Sequence, residues 1–183
     1  MRRTAVLLAF GALLTACRSP ASRTAPAPLP PCPAPAVDVV GWEVVDRGTF
    51  AFRLPPGFRQ VPARGTDSYV ERFEADGGHA AVSVNFGWYS DDLHRDPEFY
   101  ARYERCSEVI GGRAATVISG VVRNPHSRRQ DGWQVAAATW RNLYDAPDTS
   151  GTQGHLTIWG ETRDPRRLPE LLAMLRTVEL RRR

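Results

Sequence analysis

The chain has 183 residues, with 24 basic residues against 20 acidic ones and a formal net charge of +4. Every basic residue is Arg, which most simply reports a GC-rich genome. Beyond the N-terminal segment Arg and acidic residues interleave, and the compact basic runs there are only Arg128-Arg129, Arg166-Arg167 and Arg181 to Arg183, so the basic balance is no argument for a nucleic-acid partner.

The N-terminus carries Arg2 and Arg3, an apolar run from Ala5 to Leu14, and then Leu14-Thr15-Ala16-Cys17. The run is about half of the ~20 residues that a membrane-spanning helix needs, so it reads as the core of an export signal. Leu-Thr-Ala-Cys resembles the bacterial lipobox, in which diacylglycerol alkylates the thiol before the peptide is cut in front of it. The resemblance implies a signal over residues 1–16, lipidation at Cys17 and a partner in the membrane itself. Arg18 in place of Asp leans toward an outer membrane. Two or more acyl chains hold a protein at a bilayer essentially permanently, each buried CH₂ contributing about 0.8 kcal/mol.

Residues 17–37 form a linker dominated by Pro, Ala, Ser and Arg, with prolines at 20, 26, 28, 30, 31, 33 and 35. Such a segment favours extended polyproline II and would hold a domain up to about 60 Å from its anchor. The remainder, 38–183, is about 146 residues, a common size for a single domain with a real core.

From Val39 the pattern alternates with period two. Trp42 to Val45 and Thr49 to Leu54 read as strands around Asp46-Arg47-Gly48, and Pro55-Pro56-Gly57 ends the second because proline cannot donate to a ladder. Tyr69 to Glu74 and Ala80 to Trp88 follow. Asp96-Pro97-Glu98 has the order of a helix start, and Phe99, Tyr100 and Tyr103 fall at helical spacing, which predicts a short helix to about Arg105. Ser107 to Ile110 and Arg113 to Val122 flank the turn Gly111-Gly112. Strands over Trp133 to Leu143 and His155 to Thr162 come next. A final helix opens at Asp164-Pro165, with Leu168, Leu171, Leu172 and Leu175 as its apolar stripe. Phe52, Val84, Phe86, Ile158, Leu171, Leu172 and Leu175 are expected to share one core. The expected fold class is α+β: a mainly antiparallel sheet with two helices.

Phe50-Ala51-Phe52-Arg53-Leu54-Pro55-Pro56-Gly57-Phe58, Ile110-Gly111-Gly112-Arg113-Ala114 and Leu156-Thr157-Ile158-Trp159-Gly160, with the helix and Thr177-Val178 after it, resemble the PsbP/Mog1 type of domain. The resemblance covers most of residues 40 to 180. It implies an αβα sandwich serving as a non-catalytic binding or accessory module, and it carries no catalytic residues over.

Cys32 and Cys106 can close a disulfide in an oxidising compartment and so pin the linker to the domain; two free thiols is the alternative. The histidines at 79, 94, 126 and 155 match no metal-binding spacing, and no nucleophile elbow or phosphate-cradling loop occurs, so no metal, cofactor or catalytic residue is assigned. Asp91, Asp92 and His94 offer oxygen and nitrogen atoms in one loop, without the spacing of an EF-hand. With Trp88, Tyr89 and Tyr100 they form a candidate binding surface, since aromatic bodies with polar tips suit interfaces; a solvated loop beside core aromatics is the bland reading. The expected function is that of an envelope lipoprotein binding another envelope protein or a small ligand. A hydrolase using the Asp91 to Asp96 loop and a structural stabiliser of an envelope assembly are the alternatives.

Overall fold

The structure, a computed structural model, describes residues 28–34, 37–66, 68–87, 97–123, 131–143 and 154–181. The alternation that begins near Val39 becomes a hairpin of β1 (Glu43–Asp46) and β2 (Phe50–Leu54), followed by β3 (Arg59–Val61), β4 (Ser68–Ala75) and β5 (Ala80–Gly87). Next come β6 (Tyr100–Ile110), β7 (Arg113–Val122), β8 (Gln134–Trp140) and β9 (His155–Thr162). Helix α1 (Leu168–Arg176) and the short β10 (Glu179–Leu180) close the chain.

Seven strands form one antiparallel sheet in the order β3-β4-β5-β9-β8-β7-β6, and β1-β2-β10 form a second. The small sheet and α1 cover one face of the large sheet, here called the inner face. Phe50, Phe52 and Leu54 of β2 meet Phe73, Val82, Val84, Leu156 and Ile158 there, together with Leu171, Met174 and Leu175 of α1. Phe52 sets its ring edge-on to Phe73 at 6.0 Å, and Phe50 lies 5.8 Å from Phe86. The seven residues expected to share a core all lie in or against this cluster, although Phe86 and Leu172 are only partly buried. Gly160 lets α1 approach β9, since a Cβ there would sit 2.9 Å from Leu171 Cδ2.

The two-helix αβα sandwich is not what the chain forms. Among the described residues α1 is the only α-helix, and the segment read as the first helix is a single 3₁₀ turn, Pro97–Phe99, running into β6. The cause is a β-bulge. Ala101 pairs with Val121 and Glu104 with Ser119, so Arg102 and Tyr103 together oppose Gly120, with Arg102 in the left-handed region at φ 54°. The extra residue brings Tyr100 and Tyr103 to one face, with rings 5.5 Å apart, and three-residue spacing in a bulged strand imitates the helical repeat. Strands β3 and β10, three and two residues long, are too short to show a period.

An ion pair fastens the two sheets. Arg47, in the β1–β2 turn, donates from Nε to both oxygens of Glu71 at 2.8 and 3.0 Å, and Gln60 adds a third hydrogen bond at 2.9 Å. Glu71 is 5% exposed, and its hydrogen bond is the main reason the Arg47 guanidinium titrates above its ordinary value. Arg47→Ala is expected to lower stability by about 1 to 3 kcal/mol, because the buried carboxylate loses its charged partner and keeps only neutral ones, Gln60 and Tyr69. Urea unfolding monitored by tryptophan fluorescence would read this as a lower midpoint at unchanged slope.

Candidate functional site

The prolines that stiffen the linker also deny it a ladder. Of residues 30–33 only Cys32 has an amide hydrogen, so this strap can accept hydrogen bonds from a neighbouring strand but scarcely donate to it. It nevertheless lies along β6, the outer edge of the large sheet. Ser107 donates its amide to the Pro30 carbonyl at 2.9 Å, forming an isolated parallel bridge with Pro31. A disulfide joins Cys32 to Cys106, with Cα atoms 5.0 Å apart. Beyond it the Arg176 guanidinium donates to the Pro33 carbonyl and binds Glu108 at 2.8 Å.

Helix α1 packs mainly over β8, β9 and β2, and the strap covers the inner face of β6 around Cys106. Between strap and helix lies a cleft of about 380 Å³. Val117 and Leu172 supply apolar surface, Glu104, Ser119 and Arg176 polar surface, and the prolines with the disulfide form the opposite wall. Strand alternation explains the lining, since Glu104, Cys106 and Glu108 share the inner face with Ile110. The Arg176 side chain is only 13% exposed and is engaged by Glu108 and Pro33, so it braces the cleft. The arrangement suits the binding of a small body with both apolar and polar parts.

A second set of polar groups lies on the opposite, outer face. Asn85 Oδ1, Arg105 Nε, Trp133 Nε1 and His155 Nδ1 are buried and find no hydrogen-bond partner among the described residues. Their register positions are spread over β5, β6, the start of β8 and β9, and do not converge on one point. Thr139 and Thr157 pair their hydroxyls at 2.9 Å on the same face. Arg72 binds Glu74 at 2.8 Å and Glu161 at 3.2 Å, and Arg163 lies over the Trp133 ring at 5.3 Å.

Of the surface expected from sequence, Trp88, Tyr89, Asp91, Asp92 and His94 lie outside the described residues, as does Cys17. Tyr100 is described and does not fit an exposed surface: it is 7% exposed, on β6 rather than on a helix, and packs over Gly120. Among the described residues no three His, Cys, Asp or Glu side chains gather as metal ligands, and no helix is long and apolar enough to cross a membrane. The course of the strap along β6 and the cleft beneath it do not show in the sequence pattern. The pairing of Cys32 with Cys106 was their one sequence signal. No protein-family model matches the chain, and no curated protein matches it either.

Proposed function

We propose that the protein is an exported lipoprotein, held to the membrane through acylated Cys17, whose domain is a binding module with the strapped cleft as its site. The observation that carries the reading is the disulfide between the linker and β6. It belongs to an oxidising compartment outside the cytoplasm, the destination that the segment before Cys17 specifies. It also places the segment that leads from the anchor directly on the cleft. The reading rests on the anchor and the strap, and the likeness to PsbP/Mog1 domains adds nothing to it now that the sandwich is absent.

A Cys17→Ser variant is expected to lose acylation and move from the detergent phase to the aqueous phase. Mass spectrometry of the mature N-terminus with phase partitioning decides the matter. A Cys17→Ser chain that is still processed and membrane-bound like the wild type would overturn the anchor assignment.

A further inference from the structure

We propose that the Pro30–Pro33 strap is a thiol-operated gate over the β6 cleft, closed by the Cys32–Cys106 disulfide and released by a dithiol. This rests on the cleft being the binding site and names its control. Among the described residues the strap's other ties are the bridge at Pro31, with the Ser107 amide on Pro30, the Arg176 guanidinium on Pro33, and the packing of Cys32 against the core. The three prolines are exposed and Cys32 is half-buried, so the strap buries little apolar surface against the domain. Its prolines cannot complete a ladder with β6, which leaves the covalent bond as the main restraint. With that bond open, the wall made by Pro30, Pro31, Cys32 and Pro33 leaves the cleft, while Val117, Leu172 and Arg176 stay with the sheet and α1. The edge of β6 loses its bridge at Ser107 in the same event.

The chemistry is thiol–disulfide exchange. One thiolate of the dithiol attacks a sulfur of the Cys32–Cys106 bond, and the other cysteine leaves as a thiolate and takes up a proton. The second thiol of the reductant then displaces the remaining cysteine from the mixed disulfide. Two cysteine thiols form, two electrons pass from the dithiol, and the dithiol ends as its own disulfide. Both cysteines are half-buried and not sealed in the core, which gives a reductant access.

The test uses the full mature chain, oxidised or treated with dithiothreitol and then alkylated, and compares amide hydrogen exchange with hydroxyl-radical footprinting. The oxidised protein is expected to protect the Ser107 amide. Reduction is expected to speed its exchange at least about tenfold and to raise labelling of Leu172, while β8 and β9 keep their protection. The double variant Cys32→Ser/Cys106→Ser should show the released pattern without reductant. Unchanged exchange at Ser107 after reduction would overturn the gate, because the other ties would then hold the strap unaided. Loss of protection across β8 and β9, or a double variant that does not fold, would overturn it in favour of a structural staple. Failure of Cys17 acylation would leave this comparison untouched, so the anchor and the gate fail separately.

Discussion

Trp140→Ala is expected to lower stability by about 3 to 5 kcal/mol, the upper range for removing a large side chain from a packed interior. Trp140 is 0% exposed at the end of β8, with Ala115 of β7 and Leu156 of β9 as its cross-strand partners. Its indole Nε1 donates to the Ile110 carbonyl at 3.2 Å, tying the end of β6 to the middle of the sheet. The alanine variant therefore opens a cavity and also removes a buried hydrogen bond. Trp140→Phe, which retains most of the volume but no donor, should cost about 1 to 2 kcal/mol and so separate the two contributions. Equilibrium denaturation of both variants decides the point. A cost below about 1 kcal/mol for the alanine variant would mean that this end of the sheet is not packed as described.

The second large effect is expected at the β6–β7 turn, where two adjacent glycines have unequal surroundings. Gly111 and Gly112 both adopt positive φ, 61° and 77°. A Cβ on Gly112 would meet nothing within 4 Å, whereas one on Gly111 would sit 2.8 Å from the Val178 carbonyl oxygen and 3.0 Å from the Leu180 amide nitrogen. Gly112→Ala should thus cost only the left-handed backbone penalty, about 1 kcal/mol. Gly111→Ala adds a clash with main chain that cannot rotate away, and about 2 to 4 kcal/mol is expected. Equal costs in paired denaturation curves would show that the turn does not rest on the segment between α1 and β10.

Most of the strands are legible in the sequence because half-buried strands write their two faces into it, whereas their order in the sheet is not. Phe50, Phe52 and Leu54 reach the core on the alternation that predicts them, and so do Val82 and Val84. The last helix was legible for the same reason, with Pro169 falling in its first turn, where the missing amide hydrogen does no harm. The misread segment at Tyr100 and Tyr103 shows the limit of periodicity, since a bulge changes the repeat locally and only the pairing with β7 reveals it. With that helix gone, the sandwich that depended on it went too. The strap is legible only at its disulfide, since Cys32 and Cys106 are the pair of cysteines left after Cys17. Its other contacts, at Ser107 and Arg176, join residues more than seventy positions apart, and the prolines carry no pattern that names their neighbours.

The place of β9 bears on how such a chain can be completed as it leaves its site of synthesis. The first five strands and the next three can each form from close neighbours in sequence, but β5 and β8 meet only through β9, which pairs with both along its length. Until residues 155–162 emerge, two half-sheets exist with raw borders, and each border is a template for pairing with another copy. The strand in the middle of the large sheet is thus the last of its seven to arrive. A polypeptide interrupted before it would have most of its hairpins and no closed sheet, and premature termination there should yield aggregate in place of a smaller folded domain.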